Sequence, residues 1–441
     1  MKDLGKGQEW LSAQASKQHH VKRRKIMNEV TYSKFRWYIL ITLIICTAST
    51  AIGLIGPAPL TGDIMKSMNQ TDPGKILLIT MSTFNLFVAI SALCGGFLMD
   101  KFGVIKVFIG GIIAISLGAF LVPFIGNTYS GMFIVRFLQG IGTGPIMAAS
   151  APLAAAYFPH KERSIVTGFQ GFSVALGVVL GLSIIPRLAV TFGDWQKALM
   201  MVGPLGIVGI VMASIIAFGP KPPDVYAERT AEEHQSAIAH AFKHALAQPV
   251  TWVAIGAYFC MSWIFQAFND LTPSYIALDP PAGLGLGSVK GGDYLVLAQI
   301  FFMGGSVLGG ILTDKIFKGN GRPIMATGFL IGAIMSVLIK YDFITANHAV
   351  LIFCLAAAGF FFSWVNPQAV GYIAKNYPSE ITGKLGGLAT GISIFGGFLA
   401  PTVGATLISI TGRYMMSINV MAGMCLLGFI IALFLKPKKF N

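Results

Sequence analysis

The chain has 441 residues, 54% of them hydrophobic and only 11% charged, where a soluble protein devotes roughly a quarter of its residues to charge. That shortfall excludes a water-soluble globular domain. The net charge of +14 does not argue for a nucleic-acid partner, because the basic residues sit in short segments between apolar runs instead of forming one docking face.

Residues 1–36 are polar and basic, with the run Lys22-Arg23-Arg24-Lys25, and read as a cytoplasmic tail near anionic headgroups. The apolar run that follows is too long for a secretory signal and is expected to stay attached as a helix. A spanning helix needs about 20 mainly apolar residues, since the hydrocarbon core is ~30 Å thick and each residue rises 1.5 Å. By that measure the first six spans fall near 37–66, 75–99, 104–126, 129–157, 164–190 and 197–218. A second six fall near 248–277, 293–313, 323–341, 348–375, 384–411 and 415–435. Pro57 and Pro59 are expected to bend the first, with Asp63 beyond them as a rim residue.

This predicts an all-α membrane protein whose twelve transmembrane helices form two six-helix bundles, at 37–218 and 248–436. Between them, 219–247 reads as a cytoplasmic linker with Pro220, Pro222, Pro223 and a charged amphipathic stretch around Ala231–Ala245, and 437–441 as a short cytoplasmic tail. Of the 32 lysines and arginines, 24 fall on the side of the N-terminus, 7 on the opposite side, and Arg136 within a helix. The positive-inside rule therefore places both termini in the cytoplasm, and the expected location is a bacterial inner membrane. Cys46, Cys94, Cys260, Cys354 and Cys425 lie scattered inside apolar runs without CxxC spacing, so they read as packing residues and not as a disulfide set or metal site.

The halves repeat. Gly96-Phe-Leu-Met-Asp100-Lys101 is answered 214 residues later by Gly310-Ile-Leu-Thr-Asp314-Lys315, and the same shift takes Pro59 to Pro273 and Asn85 to Gln299. Tyr157-Phe158-Pro159 is answered by Asn376-Tyr377-Pro378 at a shift of 219. Several matches in one order at nearly one offset argue for two repeats related along the membrane normal.

Gly96-x-x-x-Asp100-Lys101-x-Gly103-x-x-Lys106 resembles the loop motif of the major facilitator superfamily, and the segment from Gly310 to Lys315 resembles its C-terminal copy, without the following glycine. Arg136-x-x-Gln139-Gly140-x-Gly142 resembles that superfamily's fourth-helix motif. The resemblance covers about 37–435 and implies two bundles rocking around a central site. Gly96, Asp100, Lys101, Gly103, Lys106, Asp314 and Lys315 are then candidates for a conformational latch, a carboxylate beside a lysine being able to pair across the bundles and let go. The plainer reading of these segments is an ordinary basic turn.

Polar groups inside the membrane are costly and are therefore functional candidates. Arg136, Gln139 and Thr143 share one helical face at i, i+3 and i+7, and can meet an anionic solute or a proton-binding carboxylate; alternatively Arg136 bonds to carbonyls of a broken neighbouring helix. Trp263, Gln266 and Asp270 repeat that spacing on the seventh span. Asp270 is the candidate for proton coupling, because a carboxylate withdrawn from water gains by taking up a proton; the alternative is a solvated, inert acid near the outer surface. Asn85 and Gln299, at matching repeat positions, can bond a substrate from both sides or simply join helices. Trp364 and Asn366, before Pro367, complete the candidate substrate-binding set, the alternative being a proline kink without binding.

The fifth span lacks the Gly-Pro pattern of drug/proton antiporters. The eleventh, with Gly396-Gly397, Pro401 and Thr411-Gly412, resembles uptake permeases for organic or inorganic anions. There is no arginine pair like that of nitrate carriers, and no buried lysine like that of oxalate exchangers. The expectation is a monomeric secondary transporter for a small solute, possessing no cofactor, metal or nucleic-acid partner, and importing an anion with protons; efflux of a drug or metabolite is the alternative. Nothing resembles the clustered nucleophile, base or metal set of a membrane enzyme.

Overall fold

The computed structural model describes residues 33–159, 162–221, 241–377 and 379–435. All its regular secondary structure among these residues is helical, with eleven helices long and apolar enough to cross a membrane and a twelfth apolar helix, Arg322–Leu338, of 17 residues. We number these twelve in chain order. The first six are α1 (Phe35–Ile55), α2 (73–102), α3 (Val104–Ile125), α4 (Tyr129–Tyr157), α5 (Arg163–Phe192) and α6 (Trp195–Phe218, broken at Met201). The second six are α7 (Pro249–Ala277), α8 (Gly287–Lys315), α9 (Arg322–Leu338), α10 (His348–Asn376), α11 (Ser379–Thr411) and α12 (Met415–Leu433).

The boundaries follow local chemistry. Asp72 accepts from the Gly74 and Lys75 N–H groups with Pro73 at the first helical position, so α2 starts there. Asp194 caps the start of α6 and Asn347 that of α10 in the same way. Gly103, at φ +89°, makes the tight turn between α2 and α3. The first span differs from expectation. Pro57 and Pro59 do not bend one long helix: α1 ends at Ile55, a turn follows, and a separate short helix runs Thr61–Ser67, because two prolines in three residues remove two ladder donors.

Within the first half α1 packs on α5 and α6, α2 on α4, and α3 on α4 and α6. Adding six to every label gives the main pairs of the second half: α7 with α11 and α12, α8 with α10, and α9 with α10 and α12. The repeat in sequence is thus a repeat in packing. Lipid offers no hydrophobic drive between helices, so close approach carries the association; at Gly142 a Cβ would lie 2.4 Å from the Gly111 carbonyl oxygen.

The two halves meet through α2 with α11, α5 with α8, and Thr61–Ser67 with α7. Twelve crossings bring the first and last described residues, 33 and 435, to one end, called here the terminal end, and the meeting points lie toward the opposite, far end. There Gly74 packs on Ala405 and Ser409, Gly292 packs on Leu182 and Pro186, and Leu93 reaches Gly391 closer to mid-span. Nearer the termini, a Cβ at Gly96, Gly171, Gly310 or Gly387, one on each interface helix, would meet nothing within 4 Å. Among the described residues the molecule is closed at its far end and parted at the end carrying the termini. Four cysteines are buried as packing residues, while Cys94 is exposed on α2, and all five are free.

Residues 1–32, 222–240 and 436–441 lie outside the described residues, and with them most of the basic tail, most of the linker and the short C-terminal tail. The end of the linker, 241–247, is helical, and Thr251 Oγ1 donates to the Ala245 carbonyl.

Candidate functional site

Arg136 lies in the second turn of α4 and is 1% exposed. Its surroundings derive from two breaks in neighbouring helices. On α1, the Gly53 carbonyl would normally receive the N–H four residues on, but that residue is Pro57 and has none. The Ala58 N–H turns to Ile55 instead, at 2.9 Å, so the Leu54 carbonyl is free as well. Arg136 takes both: Nη1 donates to Gly53 O at 2.8 Å and Nη2 to Leu54 O at 2.9 Å. On α2, a π turn at Leu78–Ser82 perturbs the regular ladder, and Arg136 Nε donates to the Thr80 carbonyl. Nη1 also donates to Gln139 Oε1 at 2.8 Å, and the guanidinium lies 4.7 Å from the Phe84 ring centroid. Four of five guanidinium N–H groups are committed, leaving one on Nη2.

Asp270 lies on α7 in the other bundle and has no exposed surface. It is not a solvated rim residue. Oδ2 accepts from Asn85 Nδ2 of α2 at 2.9 Å, and Oδ1 from Gln266 Nε2 of α7 at 2.8 Å. Asn85 Nδ2 also donates to the Met81 carbonyl at 3.0 Å. The Asn85–Asp270 bond therefore joins the bundles. Asp270 and Arg136 form no direct ion pair but act on each other through space. A cation and an acid, both withdrawn from water, thus flank the contact between the halves.

The remaining candidates divide. Gln139 and Thr143 share the Arg136 face, with Thr143 Oγ1 bonded to the Gln139 carbonyl. Gln299 does not face the other bundle: its amide donates to Asn269 on α7 of its own bundle, and its Oε1 is buried without a partner. Trp263 is buried beside Phe259, and Trp364 packs on Gly309 and beside Phe360 and Phe361, its Nε1 buried without a partner. At the terminal end Gly96, Lys101, Lys106 and Lys315 are exposed, and Gly103 forms the α2–α3 turn. Asp100, Asp314 and Asn366 lie outside the residues whose side chains are described. No group of three or more potential metal ligands occurs among the described residues.

The sequence did not disclose the far-end closure. Thr61 Oγ1 and Ser274 Oγ lie 2.7 Å apart and Ser274 also reaches the Ala58 carbonyl. Ser409 bonds to the second oxygen of Asp72, and Arg187 pairs with Asp293 at 2.8 Å. Asp63, on the short helix nearby, is half-buried, which pushes its carboxyl above the usual range, with Lys66 opposing that in part.

The sequence profile of the Major Facilitator Superfamily matches residues 39–339 and 284–440. The chain belongs to that superfamily. It is a multi-pass membrane transporter and not an enzyme. A Cupriavidus necator protein named as a probable sulfoacetate transporter is 25% identical, with 81% of this chain and 84% of the relative aligned. A protein of Escherichia coli strain K12 named as a probable galactarate/D-glucarate transporter is 23% identical over 86% of this chain and 88% of its own length. An Arabidopsis thaliana protein named as a probable anion transporter is 25% identical over 78% and 79%.

Proposed function

We propose that this transporter carries a small organic anion bearing a carboxylate or sulfonate together with a proton, by alternating access, as a monomer in a bacterial cytoplasmic membrane. The observation that carries this reading is the occurrence of one buried guanidinium that keeps a single uncommitted N–H and one buried carboxylate, in opposite bundles and acting on each other through space without a direct bond. Charge is costly within the membrane, and a lone cation there needs an anion to meet. The three relatives described above are named as probable sulfoacetate, galactarate/D-glucarate and anion transporters, which supports the same substrate class.

In this reading the bundles 37–218 and 248–436 rock as units, and the loop residues around Asp100 and Asp314 latch the terminal end when it shuts. With the termini in the cytoplasm, the form described above is open to the cytoplasm. Arg136 offers its remaining N–H to the solute, with Asn85 and Gln139 beside it. Asp270 carries the proton, and Gln266, bonded to it, stands on the second wall.

The test is uptake of sulfoacetate and D-glucarate into proteoliposomes under an imposed proton gradient. Uptake against a concentration gradient, abolished by a protonophore in the wild type and lost in Asp270→Asn, is the expected result. Gradient-driven accumulation that persists in Asp270→Asn removes Asp270 from the coupling role.

A further inference from the structure

The two amides that hold Asp270 are not equivalent. Asn85 uses both hydrogens of its amide nitrogen, one on Asp270 Oδ2 and one on the Met81 carbonyl. Turning that amide over would set its oxygen against two acceptors, so Asn85 is fixed as a donor. The Gln266 amide has one hydrogen bond, to Asp270 Oδ1, and its terminal torsion is broad and nearly two-fold. Gln266 also differs in access. Asn85, Arg136, Gln139, Asn269, Asp270 and Gln299 are all buried, while Gln266 alone in this cluster is only partly buried.

We infer that Gln266 is the positioning residue that responds to the proton on Asp270, turning its amide over when that carboxyl is protonated and so presenting an N–H to the accessible side. This rests on the reading of Asp270 as the proton site. A proton arriving from water forms an O–H bond at Oδ1, since Oδ2 is held by the fixed Asn85 donor, and the carboxyl loses its charge. Oδ1 is then a donor facing the Gln266 nitrogen, which cannot accept. The amide turns, Oε1 accepts the new O–H, and the NH₂ group takes the place that Oε1 held. The Asn85 contact to Oδ2 survives, so the bundles stay joined in both states.

The consequence is a link between proton and anion. With Asp270 charged, the accessible side of Gln266 shows a carbonyl oxygen that repels an anion. With Asp270 protonated, it shows a donor, and one negative charge nearby is gone. By reciprocity, an anion bound there strengthens proton binding to the same degree. Arg136 is the one charged group acting on Asp270; Asp63 and Lys66 on the short helix, and Lys290, Asp293 and Lys315 at the ends of α8, belong to elements that also pack on α7 but do not act on it.

Infrared difference spectroscopy of the reconstituted protein between high and low pH tests this without a known substrate. The wild type should show a carboxylic-acid band absent in Asp270→Asn, and in the same pH step a side-chain amide band that is absent in Gln266→Met and shifted by ¹³C labelling of glutamine. If Gln266→Met does not fold, Gln266→Asn, too short to reach Oδ1, replaces it. A carboxylic-acid band unaccompanied by any glutamine change overturns the inference and leaves Asp270 as the proton site. Absence of the acid band itself overturns the proton-site reading.

Discussion

The far-end closure rests on two glycines, and a single methyl at each should reopen it. A Cβ at Gly74 would lie 2.3 Å from the Ala405 carbonyl oxygen and 2.5 Å from the Ser409 nitrogen, and one at Gly292 would lie 2.1 Å from the Leu182 carbonyl oxygen. These are backbone atoms that cannot swing aside, so the bundles must part by about an ångström at each point to restore contact. Overpacking of this kind costs roughly 1–3 kcal/mol per site. The two contacts are on separate helix pairs, so their costs add to about 2–6 kcal/mol. At about 1.4 kcal/mol per tenfold, the ratio of far-closed to far-open molecules in Gly74→Ala/Gly292→Ala should fall between about 30-fold and about 10⁴-fold. Spin labels at Thr191→Cys and Lys290→Cys, exposed positions at the far ends of α5 and α8, read this by electron–electron distance measurement. The parent should give a short distance and the double variant a longer one, with single variants between. A folded double variant with the parent's distance distribution refutes the claim that these glycines set the closure.

Arg136→Ala should do more than abolish transport. It leaves the Gly53 and Leu54 carbonyls buried without a donor, at roughly 1–3 kcal/mol each, so the thermal unfolding midpoint should fall well below the wild type's; an unchanged midpoint removes the structural part of its role. Asp72→Ala loses both a helix cap, about 0.5–2 kcal/mol, and the bond to Ser409, whereas Ser409→Ala loses only the latter. Both should lengthen the same far-end distance, and only Asp72→Ala should also lower thermal stability measurably.

The twelve helices were legible because the membrane enforces them: backbone groups in hydrocarbon must pair within a helix, so apolar runs of sufficient length leave little choice. The main misreading was at Pro57 and Pro59, where a bend was expected and the helix ends at Ile55. The sequence had offered carbonyls of a broken neighbouring helix as partners for Arg136; what the error hid was which helix, since the break after Ile55 supplies two of the carbonyls that hold it. A signal existed: a proline at 57 implies a carbonyl without its donor at 53. The Thr80 carbonyl had no comparable signal, because nothing in Leu78–Ser82 marks a π turn. Asn85 and Gln299 both join helices, one of the two roles open to them, but not symmetrically: Asn85 crosses to the other bundle while Gln299 bonds within its own.

That last contrast has a general cause. Duplication writes the fold twice, so matching positions predict helix neighbours well, as the equivalent packing of α1–α6 and α7–α12 demonstrates. A carrier of a charged solute needs the opposite, a site whose walls differ. The positions 214 to 219 residues beyond Arg136 run from Val350 to Leu355, all uncharged, and those 214 to 219 residues before Asp270 run from Ala51 to Gly56, also uncharged. Each buried charge therefore occurs once, and the stretch answering to Asp270 includes Gly53 and Leu54, the residues whose carbonyls Arg136 binds. Where the halves agree, the sequence describes scaffold. The charges stand where they disagree, and a departure from a local rule at a place the scaffold must tolerate is the sequence mark of a working site.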